Sequence, residues 1–240
     1  MIWMTKKKLL GIIGGMGPEA TSVFFNKIIN HTEARIDQEH IPAIIYNNTQ
    51  IPNRVLWYYG KGESPVPYIV ESMKKLESIG VDLFAIPCNT AHIWFDEIKE
   101  SIDEDILNMI TLTVKTFSKF DSVGLLATTA TVESGLYEKP LRDKGIEVFL
   151  PSNQEKVMKQ VKLIKSGQIL EAKKELLSIA SELIDRGSKL LLAGCTEIPL
   201  AINARDLPVP LVDPMEIMAK EAIKQLGGKI KEDVYSGILN

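Results

Sequence analysis

The chain of 240 residues carries 28 Lys and Arg against 31 Asp and Glu, a formal net charge of −3, and 45% of its residues are hydrophobic. It lacks the basic excess of a non-specific nucleic-acid binder, and no run approaches the roughly 20 apolar residues that a membrane-spanning helix needs. The length suffices for one large domain or two small ones. Two cysteines are too few for a disulfide framework.

The chain opens with a basic segment that ends in Lys6–Lys8 and precedes a short apolar run, an order that resembles the front of a signal peptide. The apolar run covers only residues 9–13, breaks at two glycines and has no small-residue cleavage site of the usual kind. We therefore interpret it as a first β-strand and predict a cytoplasmic protein.

Short apolar runs alternate with segments of helical period along the chain. The runs predict strands at Leu9–Ile13, Ala43–Tyr46, Leu83–Ile86, Val123–Ala127, Glu147–Leu150, Lys189–Ala193 and Pro210–Val212. These runs are continuously apolar, as in parallel strands buried on both faces. Amphipathic stretches such as Tyr68–Ile79 and Glu171–Asp185 predict helices between them. This rhythm predicts an α/β fold with parallel sheets.

An internal repeat relates the two halves of the chain. Residues 11–21 resemble residues 124–134, and residues 80–90 resemble residues 187–197 without a gap, so Cys88 and Cys195 occupy equivalent positions. The repeat predicts two similar lobes related by a pseudo-two-fold axis. Because ligands bind at the carboxyl ends of parallel strands, the two thiols are expected to face each other across the cleft. The alternative is that any two strand–turn–helix units look alike, which makes the matched cysteines a coincidence.

Each cysteine precedes a possible helix start, because Asn89 and Thr90 are good N-cap residues and Thr196 and Glu197 follow Cys195. A helix N-terminus favours a thiolate, and its N–H groups can bind a carboxylate. Opposed acid and base groups suit removal of a proton from one face of a carbon and delivery to the other, as in racemisation or epimerisation. The ordinary alternative is a buried, inert cysteine.

Other chemistries match the sequence less well. The three histidines lack metal-ligand spacing, and the Cys-x-x-Cys motif of redox dithiols is absent. His92, four residues after Cys88, is either a third partner of the thiol or a helix residue with a structural hydrogen bond. Residues 14–17 lack the spacing of a dinucleotide or phosphate loop and predict a tight turn that approaches the cleft, before Pro18 at a helix start.

Five motifs occur in order over almost the whole chain. They are Gly14-Gly-Met-Gly-Pro-Glu-Ala-Thr21, Asp37-Gln-Glu-His40, Ile51-Pro-Asn-Arg54, Pro87-Cys-Asn-Thr-Ala-His92 and Ala193-Gly-Cys-Thr-Glu-Ile198. Together they resemble the aspartate racemases of the aspartate/glutamate racemase superfamily. Cell-wall glutamate racemases typically continue the second cysteine motif as Cys-Thr-His, whereas this chain has Glu197. The chain also has Asn53 where many relatives carry Asp, and Ala130 where many carry Gly.

The resemblance implies two four-stranded lobes with the site between them, no pyridoxal phosphate, no metal and a homodimer. It implies interconversion of L- and D-aspartate, with Cys88 and Cys195 as an acid/base pair that exchanges roles with substrate handedness. It places substrate at Pro52, Asn53, Arg54, Asn89, Thr90 and Ala91, and it matches Lys165 to a substrate-binding lysine of close relatives. The expected partner is a small acidic amino acid, not a nucleic acid or a membrane.

The charged groups of aspartate are consistent with these substrate-binding residues. Arg54 can bind one carboxylate bidentately, and Lys165 can serve as a second point charge. Groups at Asn89, Thr90 and Thr196 can hold the α-carboxylate and stabilise the carbanionic transition state. The remaining candidates for substrate binding are Thr129 and Thr131 in the matching loop of the second lobe, Met16 in the glycine turn, and Glu197.

Two alternatives stay open. The first is another reaction of the superfamily: racemisation of glutamate or of acidic amino acids broadly, or a one-cysteine decarboxylase or isomerase. The second is a non-catalytic protein that binds an acidic amino acid. For either, we predict a first lobe of residues 1–113 plus 208–240, carrying Cys88, and a second lobe of residues 114–207, carrying Cys195. The resemblance implies that the last helix, Met215–Gln225, packs back on the first lobe.

Overall fold

Two four-stranded sheets, parallel throughout, form the two halves of the molecule, of which the computed structural model describes residues 7–117 and 119–231. The strands are β1 Leu10–Gly14, β2 Ala43–Asn47, β3 Leu83–Ala85, β4 Asp105–Ile106, β5 Ser122–Ala127, β6 Glu147–Phe149, β7 Leu191–Gly194 and β8 Leu211–Val212. Their orders are β2-β1-β3-β4 and β6-β5-β7-β8. The same order in both halves confirms the prediction of two similar α/β lobes.

All seven predicted strands form, and each end lies within two residues of its predicted position. The eighth, β4, was absent from the prediction because it has only two residues, of which Asp105 is charged and exposed. It lies at a sheet edge, where Asp105 pairs with Leu83 of β3. So short and polar a segment has no apolar run that a sequence pattern can detect.

Helices flank both sheets. They are α1 Pro18–His31, α2 Arg54–Tyr58, α3 Val66–Glu77, α4 Phe95–Lys99, α5 Met109–Lys115, α6 Thr129–Glu133, α7 Glu138–Arg142, α8 Gln154–Lys165, α9 Ile169–Asp185, α10 Ile198–Ala201 and α11 Pro214–Gln225, with 3₁₀ helices at Asp37–Glu39, Thr90–Trp94 and Ala204–Asp206. The longest, α9, buries Ala172, Leu176, Ile179 and Leu183 along one face, at the spacing of an amphipathic helix. No helix of the described residues is long and apolar enough to span a bilayer.

The chain returns from the second sheet to the first lobe immediately after β8. Strand β8 pairs with β7 of the second sheet, whereas α11 packs Met215 and Met218 against Leu10 of the first. Asp213, between β8 and α11, accepts a hydrogen bond from the backbone N–H of Met215 at 2.9 Å and pairs with Lys27 of α1 at 2.9 Å. The division into lobes stays a proposal. We predicted that the chain returns to the first lobe at residue 208, but β8 still belongs to the second sheet, so we place the return at Asp213. Residues 1–6 and 232–240 of the proposed first lobe lie outside the described residues.

Candidate active site

The turn after β1 is held in place by a threonine and requires glycine. Thr21 Oγ1 accepts a hydrogen bond from the N–H of Gly15 at 3.1 Å and donates one to the carbonyl of Gly17 at 2.8 Å. Gly15 has φ +93°, and a Cβ there would lie 2.2 Å from the carbonyl oxygen of Asn48. A Cβ on Gly17 would lie 3.4 Å from Glu197 Oε1, so the turn of the first lobe reaches a side chain of the second.

The two cysteines line one cavity of about 240 Å³. Cys88 lies three residues beyond the end of β3 and Cys195 directly after β7, and these strands hold the same position in their sheets. Both side chains are 5% exposed, and both thiols are free. The fold therefore brings together the two thiols that the repeat placed at equivalent positions.

Most of the predicted substrate-binding residues line the same cavity. They are Met16, Asn53, Arg54, Asn89, Thr90, Lys165, Thr196 and Glu197. The other four do not line it. Pro52 contributes only a carbonyl that accepts from Arg54, and Ala91 is fully buried. The backbone N–H of Thr129 donates to Met158 Sδ at 3.4 Å, and Thr131 is buried in a hydroxyl cluster.

Six further residues line the cavity and were absent from the prediction: Val55, Leu56, Thr128, Met158, Val161 and Lys162. Three of them lie on α8, on the same face as Lys165. Met158, Val161 and Lys162 precede Lys165 by seven, four and three residues, which is the spacing of one helical face. Counting back from Lys165 by three, four and seven residues, the spacing of one helical face, would have predicted these three residues from the sequence.

Glu197 connects Lys165 to Cys195. Its Oε1 pairs with Lys165 Nζ at 2.9 Å, and its Oε2 accepts from Cys195 Sγ at 3.0 Å and from Thr196 Oγ1 at 3.2 Å. Burial raises the pKa of Cys195 well above its ordinary value, and the adjacent Glu197 carboxylate raises it further. Burial acts to lower the pKa of Lys165, but the negative charges of Glu197 and the thiolate forms of both cysteines outweigh it, so the net shift is upward. The raised pKa of Cys195 favours its neutral thiol form beside the ion pair of Lys165 and Glu197.

Asn89 does not form the N-cap hydrogen bond that its position suggested, and the helix that begins after it is a 3₁₀ helix. Its Oδ1 instead accepts a hydrogen bond from the hydroxyl of Tyr137, in the second lobe. Its Nδ2 is buried without a partner among the described residues. Thr90 also reaches across, because its hydroxyl lies 3.0 Å from that of Thr128 and 3.1 Å from that of Thr131.

His92 has a structural role. Its Nδ1 lies 2.9 Å from the carbonyl oxygen of Cys88, and its Nε2 accepts a hydrogen bond from the backbone N–H of Met109 at 3.2 Å. This assigns the proton of a neutral ring to Nδ1. Burial lowers the pKa of His92, against the opposing effect of the carbonyls of Cys88 and Leu107. Of the two roles considered for His92, the structure supports the structural hydrogen bond.

Arg54 is held by backbone carbonyls. Its Nη1 donates to Ile51 at 3.1 Å and to Pro52 at 2.8 Å, and its Nη2 donates to Met16 at 3.1 Å. Its Nε is buried and has no partner among the described residues. Three of the five N–H donors of the guanidinium are thus used to fix the loop, and two remain. No carboxylate of the described residues forms an ion pair with Arg54, and no group of three His, Cys, Asp or Glu side chains among them could hold a metal ion.

The profile of the Asp/Glu/hydantoin racemase family matches residues 13–222, which include both cysteines and every cavity-lining residue named above. The chain belongs to this family. It is thus a racemase of the aspartate/glutamate racemase superfamily.

Three members of the superfamily show how far the likeness extends. The structure of Picrophilus torridus aspartate racemase is 40% identical, with a TM-score of 0.86 over 93% of this chain and 96% of that one. The broad specificity amino-acid racemase RacX of Bacillus subtilis is 26% identical over 90% of this chain and 96% of RacX. A glutamate racemase of Persephonella marina is 30% identical over 58% of this chain and 54% of that enzyme.

Proposed function

We propose that this racemase interconverts L- and D-aspartate without a cofactor, by a two-base mechanism in which Cys88 and Cys195 are the acid and the base. The observation that carries the proposal is the convergence of both thiols on one cavity, each from the carboxyl end of the equivalent strand of its lobe. Proton removal on one face of Cα and delivery on the other requires two such groups.

The two thiols must hold opposite protonation states when substrate binds. In one direction, Cys88 as a thiolate removes the Cα proton, and Cys195 as a thiol delivers its own proton to the other face. The neutral state of Cys195, favoured by burial and by Glu197, suits the donor role in this direction. The reaction leaves Cys88 protonated and Cys195 as a thiolate, which is the state required for the reverse direction.

Donors left unpaired in the cavity wall suit a carboxylate. The Nδ2 of Asn89 and the Nε of Arg54 are buried without partners among the described residues, and burial makes an unpaired donor costly. A substrate carboxylate that accepts from them would remove this cost. The charge of the cavity also suits a carboxylate. Among the described residues, Arg54, Lys162 and Lys165 line the cavity and Glu197 is the one lining carboxylate, so the lining has a net positive charge.

A broader racemase is the second candidate, and one observation favours it. Four apolar side chains, Val55, Leu56, Met158 and Val161, line the same cavity. They offer contact area to a substrate side chain that is longer or less polar than that of aspartate. The names of the relatives, which include a broad specificity racemase and a glutamate racemase, leave the same range of substrates open.

The deciding experiment is incubation of purified, reduced protein with L-aspartate in heavy water, followed by chiral chromatography and mass spectrometry. We expect D-aspartate that carries deuterium at Cα, and its loss in both Cys88→Ala and Cys195→Ala. One of these variants can retain exchange of Cα without inversion, because only one face loses its base. Racemisation by both variants would refute the two-thiol mechanism. Binding of aspartate without any deuterium incorporation would support the non-catalytic binding protein instead.

Two predictions from the resemblance extend beyond the active site. The homodimer and the cytoplasmic location stay predictions, and size-exclusion chromatography with light scattering tests the first.

A further inference from the structure

We propose that Lys162 is the residue that selects the side-chain carboxylate of the substrate, so that it separates acidic from neutral amino acids. This specificity role of Lys162 rests on the proposed function of the same site. It follows from the contacts of the three cationic side chains that line the cavity, Arg54, Lys162 and Lys165.

Two of these cations already have protein partners. Lys165 pairs with Glu197 at 2.9 Å, and the guanidinium of Arg54 donates to three backbone carbonyls. Lys162 differs from both, because its ammonium has no ion pair and no hydrogen bond within residues 7–117 and 119–231. A ligand carboxylate can therefore bind Lys162 without displacing any of these internal contacts.

The position of Lys162 suits the outer end of a substrate. It lies three residues before Lys165 on α8, so both side chains project from the same face of that helix into the cavity. Both lysines are exposed, but the bond of Lys165 to Glu197 holds its ammonium beside Cys195, whereas Lys162 makes no such bond. An amino acid with its Cα beside the buried thiols would direct its side chain away from them, where the ammonium of Lys162, unlike that of Lys165, is not already paired.

The chemistry of the remaining walls makes this lysine decisive. Val161 and Met158 lie on the same helical face, and with Leu56 they would accept an uncharged side chain. Without the ammonium of Lys162, this part of the cavity has apolar walls that do not favour a carboxylate over an amide. A lysine is a flexible point charge, and it can follow a carboxylate on side chains of different lengths.

The test compares Lys162→Gln with Lys159→Gln. Lys159 lies on the same helix, is exposed and does not line the cavity, so its variant removes the same charge at a matched position. Racemisation and Cα deuterium exchange are measured for aspartate and for asparagine, which has nearly the same shape without the charge. We expect Lys162→Gln to lower kcat/KM for aspartate by about tenfold, mainly through KM, and to leave asparagine nearly unchanged. Lys159→Gln should change neither.

Succinate provides a second measurement that does not depend on turnover, because it has two carboxylates and no ammonium. In titration calorimetry, Lys162→Gln should weaken succinate binding by about tenfold and leave the binding of propionate, with one carboxylate, unaffected. An unchanged aspartate-to-asparagine ratio, or equal effects in the Lys159→Gln protein, would overturn the proposal. If the wild type racemises nothing, the proposed function fails, and the calorimetry alone still decides the role of Lys162.

Discussion

The hydroxyl of Tyr137 donates a hydrogen bond to Oδ1 of Asn89, and the two residues belong to different lobes. Tyr137 is fully buried, and this burial raises its pKa, so its hydroxyl stays protonated and remains a donor. Asn89 lines the cavity directly after Cys88. Because Oδ1 accepts this bond, the carboxamide is fixed with Nδ2 as the donor available to a ligand.

Replacement of Tyr137 by Phe should affect substrate binding as well as stability. Without the hydroxyl, Asn89 loses the bond that orients its carboxamide, and we expect KM for aspartate to rise several-fold with a smaller change in kcat. The lost buried hydrogen bond should lower the free energy of unfolding by about 1–2 kcal/mol. Steady-state kinetics and urea unfolding measure the two effects.

Tyr68→Phe is the matched control. The hydroxyl of Tyr68 donates to Glu63 at 2.7 Å at the surface, outside the cavity, so its loss should leave KM unchanged. A Tyr137→Phe protein that loses stability but keeps KM would show that this tyrosine only supports the fold.

The contact of Glu197 with Cys195 predicts a change in thiol reactivity. Glu197→Gln removes the negative charge that helps raise the pKa of Cys195, and it frees Lys165 to stabilise a thiolate. The pKa of Cys195 should therefore fall, so that alkylation by iodoacetamide reaches half its maximal rate at a lower pH.

This measurement is made in a Cys88→Ala background, where Cys195 is the only remaining cysteine. The single variant Cys88→Ala, with Glu197 intact, is the reference. An alkylation profile that stays in place or moves to higher pH in the double variant would contradict the electrostatic role of Glu197.

The sequence predicted the frame of the site well because periodic patterns and repeats reflect the backbone. The apolar runs located the sheets, and the equivalent positions of Cys88 and Cys195 followed from alignment of the two halves. The sequence did not predict the contacts between side chains. Lys165 and Glu197 were both assigned to substrate binding, yet they bind each other, because α8 and the loop after β7 meet in space and not in sequence.

Asn89 occupies the N-cap position of a 3₁₀ helix, but its side chain makes no capping hydrogen bond. Its residue type favours an N-cap, but the buried hydroxyl of Tyr137, distant in the chain, binds its carboxamide oxygen instead. A tertiary contact here overrides a local preference, and no local pattern could have revealed it.

The buried ring of His92 predicts a loss of stability in acid. Its pKa is lowered in the folded state, chiefly by burial, relative to about 6.5 in the unfolded chain. The unfolded state therefore binds more protons as the pH falls below about 6.5, and the stabilising contribution of the neutral ring, present above that pH, is progressively lost.

Comparison with His92→Gln isolates this contribution, because other groups also titrate. The difference in free energy of unfolding between wild type and variant, followed by urea denaturation from pH 8 to pH 5, should shrink as the solution becomes more acidic. A difference that is constant with pH would mean that His92 has the same pKa in both states.

Replacement of Gly15 by Ala should make the protein both less stable and less active. Gly15→Ala and Gly62→Ala each place a side chain at positive φ, +93° and +80°, which costs about 1–2 kcal/mol. A Cβ on Gly62 meets nothing within 4 Å, whereas one on Gly15 would overlap the carbonyl of Asn48 at 2.2 Å. Gly15→Ala should therefore cost more, and the displaced turn should move the carbonyl of Met16 away from Arg54.

Both variants carry the cost of the positive φ, but only Gly15→Ala carries the cost of the overlap with Asn48. The difference in their free energies of unfolding, measured in urea, therefore gives the cost of the overlap. Kinetics then test the connection to the site: kcat/KM for aspartate should fall by at least about tenfold in Gly15→Ala, because a displaced guanidinium no longer presents its free Nε–H to a carboxylate. Gly62→Ala should keep wild-type kinetics. Equal stability of the two variants would mean that the turn after β1 adjusts without strain, and that Arg54 does not depend on its geometry.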